Sequence, residues 1–211
     1  RHSHVAAQVL VVRVVQVAAV RAEQVCGPAL EAVGVARGRG EPDGLLARAH
    51  LGARVVDVTG KVIIPGLVDS HSHLGVASRP LEKSNSDGNE RSGAVQSIVR
   101  ALDSLNPFDP GIRMAHSGGI TTANVMPGSG NVIGGQTIYI KLRGASPEQM
   151  WIGTEGHFGG LKMANGENPK RSYGSRGQPP VTRMKVAALQ RTEFVKAQDY
   201  RRKWADFEQA R

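Results

Sequence analysis

Two histidines separated by a single residue, His71 and His73, are the side chains of this sequence most clearly suited to chemistry. They close a short apolar run, VIIPGLVDSHSHLG over residues 62–75, in which Asp69 precedes them. Side chains alternate between the two faces of a strand, so positions i and i+2 point the same way. Both imidazoles can therefore face one space at the carboxyl end of a strand, and neutral imidazoles suit a borderline divalent ion such as zinc.

The spacing alone is weak evidence for a metal site. His2 and His4 have the same spacing but lack the strand, aspartate and glycine context of the second pair. A histidine pair without that context serves surface or core roles as readily as metal binding. His71 and His73 are candidate ligands because of the longer string that contains them.

That longer string is VVDVTGKVIIPGLVDSHSHLG, residues 55–75. It resembles the passage of the amidohydrolase superfamily in which a small β-sandwich domain leads into a metal-bearing (β/α)8 barrel. The resemblance implies that His71 and His73 bind a divalent ion, with zinc as the expected metal. It also implies ligands on later barrel strands, two histidines and an aspartate that moves the proton, so the catalytic aspartate is expected beyond this chain.

Two further strings carry the same resemblance. GITTANVMPGSGNVIGGQ, residues 119–136, and HFGGLKMANGENPKR, residues 157–171, are similar to segments of imidazolonepropionase-like enzymes in this superfamily. The resemblance extends over residues 53–211. Asn165 departs from it, since a small or apolar residue is expected there.

Other polar residues are weaker candidates for the site. Some members of the superfamily bridge two metals with a carbamylated lysine or a glutamate. Three residues of this chain have suitable side chains, but the resemblance does not align any of them with the bridging position: Lys141, Lys162 and Glu167. His116 and His157 have no partner at metal-ligand spacing, and we expect each to lie at the surface or at a helix end.

Local patterns predict the elements that position these residues. The predicted strands span residues 55–58, 62–68, 120–127 and 137–143. The predicted helices span residues 94–105, 109–117 and 181–211, with Asp109 and Thr182 as N-caps of the last two. The polar loop over residues 75–93 is expected to form a wall of the site, because it follows the histidine strand.

The glycine-rich segment GSGNVIGGQ, residues 128–136, does not fit a phosphate-binding loop, because no Lys-Ser/Thr pair and no helix follow it. Its glycines either permit tight turns or let backbone amides approach an anion or a carbonyl. The segment lies between two predicted strands. It therefore either makes the crossing between barrel strands, or a strand pair is inserted locally.

The predicted fold class is α/β: a partial (β/α)8 TIM barrel preceded by part of a small β-sandwich domain. Residues 55–65 are expected to end the sandwich, and residues 66–211 to form the amino-terminal part of the barrel. The chain has 211 residues, whereas a barrel alone needs about 250. We therefore interpret the chain as a fragment and expect it to be inactive by itself.

Residues 1–54 differ in composition from the rest of the chain. They contain no Ile, Lys, Phe, Tyr, Trp, Asn, Thr or Met. Nearly all their residue types have codons that begin with G or C. This bias favours the hypothesis that residues 1–54 are translated out of frame from a GC-rich gene. The alternative is a strongly biased but genuine β-rich segment.

Composition excludes several classes of function. The formal net charge is +9 but is spread along the chain, and aromatic residues make up 4%, so we expect no nucleic-acid partner. No apolar run is long enough to span a membrane, and the single cysteine, Cys26, allows no intrachain disulfide. The compartment is not determined: the cytoplasm is the default, and a secreted or periplasmic location stays open.

The resemblance implies a metal-dependent hydrolase that uses a metal-activated water to break an amide or cyclic amide C–N bond that is not a peptide bond. The expected partner is a small-molecule amide, and self-association into a homo-oligomer stays open. Two alternatives also stay open. One is a metallo-dipeptidase of the same superfamily, and the other is a non-catalytic remnant.

Overall fold

The computed structural model describes residues 64–153 and 159–211, together with the backbone of three short strand segments before them. The chain divides into two compact units, Arg1–Pro65 and Gly66–Arg211. In the first unit, β1 (Leu10–Arg13), β2 (Val35–Ala36) and β3 (Arg54–Asp57) form a parallel sheet in the order β2-β1-β3. The predicted strand over residues 55–58 is thus present one residue earlier, and the out-of-frame leader stays a prediction about the gene.

The second unit contains two small sheets. Strands β4 (Leu67–Ser72), β5 (Ile120–Val125) and β7 (Ile138–Lys141) form the first sheet, in the order β4-β5-β7. Strands β6 (Ile133–Gln136) and β8 (Leu161–Met163) form the second, antiparallel sheet. The helices are α1 (Pro110–Ser117), α2 (Pro147–Met150), α3 (Glu167–Gly174) and α4 (Arg183–Ala210). The unit is therefore mixed α/β.

The three strands of the first sheet do not all run in the same direction. β4 and β5 are parallel, and the chain between them contains α1, which is the βαβ arrangement. β7 runs antiparallel to β5. Residues 128–136 therefore do not cross to a parallel strand, and the antiparallel pair β5–β7 agrees with the alternative of a locally inserted strand pair.

The histidine strand begins later than predicted, and it also ends later, at Ser72 instead of residue 68. The sequence predicted a strand from residue 62 to 68, whereas residues 64–66 are not in a strand and β4 starts at Leu67. Pro65 has no N–H to donate to a ladder, and the first backbone bond runs from Leu67 N to Gly119 O at 2.9 Å. Gly66 lies so close to Thr121 that a Cβ would come within 2.2 Å of its side chain. Residues 62 and 63 lie outside the described part.

The core covers one face of the first sheet. Ala123 and Val125 of β5 and Ile138 and Ile140 of β7 are each 0% exposed, and Ile112 of α1 packs on them. Because side chains alternate, the intervening residues of both strands lie on the opposite face. They are Thr122, Asn124, Tyr139 and Lys141. The sheet thus has one apolar face, covered by the core, and one face with polar groups.

The predicted helix over residues 94–105 is wrong. Only Ala101–Ser104 form a short 3-10 helix, and the preceding residues run alongside β6, with bridges from Val95 to Ile133 and from Arg100 to Gln136. The apolar residues at helical spacing therefore do not form the buried face of a helix, and Ile98, one of them, is 85% exposed. Backbone pairing with β6, a contact distant in sequence, overrides the local pattern.

Both predicted capped helices are confirmed. Asp109 accepts a bond from Gly111 N at the start of α1, and Thr182 Oγ1 accepts from Lys185 N at 3.2 Å at the start of α4. The strands predicted over residues 120–127 and 137–143 are confirmed with shorter bounds. Among the described residues, no helix has the length and apolarity needed to cross a membrane.

Candidate metal centre

His73 lies immediately after β4 and has a fixed ring orientation. Its Nδ1 is 2.8 Å from the carbonyl oxygen of Met126, the residue that follows β5. A carbonyl oxygen only accepts hydrogen bonds, so Nδ1 carries a proton, and in the neutral ring Nε2 keeps its lone pair. Metal-binding histidines typically donate their other ring N–H to a carbonyl or a carboxylate in this way.

His71 lies within β4, and its Nε2 also acts as an acceptor. The Nζ atom of Lys162 is 3.2 Å from this nitrogen, and a charged lysine amine only donates. The two imidazole rings are 5.4 Å apart between centroids and nearly perpendicular. In the neutral rings, both Nε2 atoms can therefore offer a lone pair, as ligation of a divalent cation requires.

Lys162 is the one of the three charged candidates that reaches the histidines. It lies on β8, and its amine is also 3.2 Å from the sulfur of Met126. Burial lowers the pKa of Lys162 below the ordinary value of a lysine. An amine that is less basic than usual, beside two candidate ligands, is a feature of functional sites more often than of surfaces.

The other two charged candidates lie elsewhere. Lys141 donates to Thr122 Oγ1 at 2.9 Å on the polar face of the sheet. Glu167 begins α3 and pairs with Lys170 at 2.9 Å, and its hydrogen bond from Lys170 lowers the pKa of the Glu167 carboxyl. Neither forms a hydrogen bond with His71 or with His73 in the described part of the chain.

No other histidine in the described residues extends the site. His116 is exposed in the last turn of α1, as expected for a helix-end histidine, whereas His2, His4, His50 and His157 lie outside the described residues. Within residues 64–153 and 159–211, no group of three or more His, Cys, Asp or Glu could hold a metal ion. The further ligands implied by the resemblance stay a prediction.

The contribution of Met126 was missed from the sequence. Its backbone carbonyl orients His73, and its sulfur contacts Lys162, so one residue touches both sides of the site. A methionine between a strand and Pro127 gives no chemical signal by type. Only its position at the carboxyl end of β5, next to the histidine strand, could have indicated it.

The loop over residues 75–93 uses the amides of the glycine-rich segment. Asn89 Oδ1 accepts from Gly130 N at 2.7 Å, and the amide of Gly128 donates to Gly88 O. A Cβ on Gly128 would come within 2.3 Å of the Asn89 side chain. The glycines thus permit a close approach to the chain's own loop.

Tyr173 of α3 forms a hydrogen bond with the end of the same loop. Its hydroxyl lies 2.6 Å from Gly93 O and 2.7 Å from Asn131 Oδ1, and the Arg176 guanidinium lies over its ring at 4.7 Å. Burial raises the pKa of the Tyr173 hydroxyl, while the charge of Arg176 acts in the opposite direction. The neutral phenol is therefore the form that the folded chain favours.

Replacing Tyr173 by phenylalanine is expected to lower stability and to change its pH dependence. Loss of the buried hydroxyl leaves a carbonyl without its donor and costs about 1–3 kcal/mol. Because the folded pKa is raised, the stabilisation by Tyr173 is complete below the unfolded pKa of about 10 and is lost as pH rises through the folded value. Urea unfolding at a series of alkaline pH values should show a steeper decline for the wild type than for Tyr173→Phe.

The matched control for this measurement is Tyr200→Phe on α4, where the side chain is 69% exposed. Its stability should stay within about 0.5 kcal/mol of the wild type, as is usual for surface substitutions. Parallel pH profiles for the wild type and Tyr173→Phe would show that burial of this phenol does not affect stability.

Comparison with known proteins supports the resemblance to the amidohydrolase superfamily. No protein-family model matches the chain. A protein named Amidohydrolase tasK, from Hapsidospora irregularis, is 37% identical over 170 residues, covering 74% of this chain and 17% of that protein. The crystal structure of an amidohydrolase from Thermotoga maritima MSB8 matches with a TM-score of 0.70 and 42% identity, covering 82% of this chain and 42% of that one.

The chain has a mixed α/β fold, and it is similar over most of its length to two proteins named as amidohydrolases. The chain belongs to the amidohydrolase superfamily. It spans less than half the length of either relative, 17% of one and 42% of the other.

Proposed function

We propose that this protein is a metal-dependent hydrolase that breaks the C–N bond of a non-peptide amide or cyclic amide. The observation that carries the proposal is the His73 Nδ1 bond to the Met126 carbonyl at 2.8 Å, which leaves the ligating nitrogen free beside His71. Two relatives named as amidohydrolases support the class of reaction. The strings over residues 119–136 and 157–171 support the imidazolonepropionase-like branch.

The proposed architecture is the amino-terminal part of a (β/α)8 barrel. β4, α1 and β5 form a strand-helix-strand unit with parallel strands, which is the repeating unit of such barrels. Both histidines lie at the carboxyl end of β4, the end at which barrel enzymes carry their active sites. Residues 55–65 are proposed to end a small sandwich domain.

In this proposal His71 and His73 hold a divalent ion, with zinc as the expected metal. When bound, such an ion lowers the pKa of water and makes a hydroxide available at neutral pH. The Met126 carbonyl keeps the His73 ring in one tautomer. Lys162 is proposed to act at the same centre, and the bridging role that the superfamily gives to a lysine would fall on it.

The test compares the zinc-loaded product of the complete reading frame with this 211-residue chain on lactams, cyclic imides and dipeptides. We expect the complete product to hydrolyse lactams or cyclic imides, and this chain, with two imidazole ligands, to be inactive. Turnover of dipeptides alone would favour the metallo-dipeptidase. No turnover on any of these amides, with zinc bound, would contradict the proposed reaction and favour a non-catalytic role.

A further inference from the structure

Asp109 is a buried carboxylate that the proposed reaction does not use. It is 0% exposed, and no ion pair among the described residues includes it. Its oxygens accept bonds from Gly75 N at 2.8 Å, Gly111 N at 2.9 Å and Arg79 N at 3.3 Å. A helix cap needs only the bond from Gly111. The other two bonds hold the loop that follows β4.

The loop fixed by this carboxylate begins at His73. The His73 carbonyl accepts from Val76 N at 3.2 Å and from Ala77 N at 3.0 Å, so the chain turns back directly after the imidazole. The carbonyl of Gly75 accepts from Asn106 N at 2.9 Å, and the φ angle of Gly75 is 77°. With both its N–H and its C=O bonded, Gly75 leaves the backbone after His73 little freedom.

A second connection runs from Asp109 to His73 through the core. Asp109 caps α1, and Ile112 of that helix packs in the same core cluster as Val125 of β5. β5 leads directly to Met126, whose carbonyl accepts the His73 Nδ1 bond. The carboxylate thus fixes the backbone of the histidine on one side and the helix that supports its hydrogen-bond partner on the other.

We propose that Asp109 is a positioning residue for His73. It holds the imidazole where Nδ1 bonds to Met126 and Nε2 stays free for a cation. Only the cation in this statement rests on the proposed function, because the ring orientation is a property of the metal-free chain. A carboxylate is required because it offers two acceptor oxygens and no hydrogen, whereas an amide or a hydroxyl cannot accept all three N–H groups.

The experiment uses variants of the 211-residue chain and two measurements. Asp109→Ser keeps a short acceptor that can cap α1 but is too short to bond the loop amides, and Asp109→Asn keeps one acceptor oxygen. Thr182→Ala removes the cap of α4 and is the control for a lost helix cap elsewhere. The measurements are the histidine tautomers, by nitrogen NMR of the metal-free chain, and the zinc affinity of the same substitutions in the product of the complete reading frame, by competition with a chelator.

For the wild type we expect a single His73 tautomer with the proton on Nδ1. Asp109→Ser should show a mixture of tautomers and bind zinc about 10- to 100-fold more weakly, as when partners of metal ligands are removed. Thr182→Ala should change neither quantity. If Asp109→Ser does not fold, Asp109→Asn is judged by the same measurements.

Two results separate this inference from the proposed function. Asp109→Ser with a lower melting temperature but the wild-type tautomer and zinc affinity would overturn the positioning role and leave Asp109 as a simple cap. If the wild-type product of the complete reading frame binds no zinc, but Asp109→Ser loses the single His73 tautomer, the metal site is contradicted and the positioning role is supported.

Discussion

Zinc content is expected to fall to background when both His71 and His73 are replaced by alanine in the zinc-loaded product of the complete reading frame. Each replacement removes an imidazole whose Nε2 keeps a lone pair at the site. Zinc needs three or four protein ligands, so the ligands that remain cannot hold the ion tightly. Elemental analysis after dialysis measures the effect directly.

The control for the metal measurement is His116→Ala. His116 is exposed in the last turn of α1 and forms no hydrogen bond with His71 or His73 in the described part of the chain, so its loss should leave the zinc content unchanged. The site assignment would be wrong if the double variant kept its zinc, or if His116→Ala lost as much zinc as the double variant.

The largest expected loss of stability comes from Ile140→Ala. Ile140 is 0% exposed on β7 and belongs to the core cluster that covers one face of the first sheet. Truncating a buried isoleucine removes its transfer free energy and leaves a cavity, which costs about 2–5 kcal/mol. Urea unfolding at neutral pH, followed by circular dichroism, measures the change.

Tyr139→Ala is the matched control for Ile140→Ala. Tyr139 is the preceding residue of the same strand, points to the opposite face and is 46% exposed. Its replacement should cost far less than that of Ile140, about 1 kcal/mol or below. Equal losses at the two positions would mean that the core does not lie on the face that we assign.

The sequence predicted the elements whose signals are local. Asp109 and Thr182 each stand one residue before a helix and use side-chain oxygens as caps, so residue type alone indicates the helix start. The placement of His71 and His73 near the carboxyl end of a strand was also a local inference, from alternation, but the strand was predicted to end at residue 68 and extends to Ser72. The later start of β4 follows from Pro65. The predicted strand contains this proline, whereas the observed strand begins two residues after it.

The remaining features depend on contacts that are distant in sequence. His73 and Met126 are separated by 53 positions, and His71 and Lys162 by 91, so no local pattern contains either pair. Residues 94–100 carried a helical pattern, but pairing with β6 decided their conformation. Asn165 departed from the resemblance, and its side chain accepts a bond from Gln190 of α4 at 2.6 Å, which gives its polarity a structural role.

Met126 has a further consequence for how this centre can vary. It acts on the imidazole through its main chain and on the amine through its thioether, and only the second contact changes when the side chain is replaced. Substitutions at this position can therefore adjust the basicity and reach of the lysine while the histidine keeps its partner. Substitution of Met126 during evolution can therefore change the surroundings of the Lys162 amine without removing the backbone acceptor of His73.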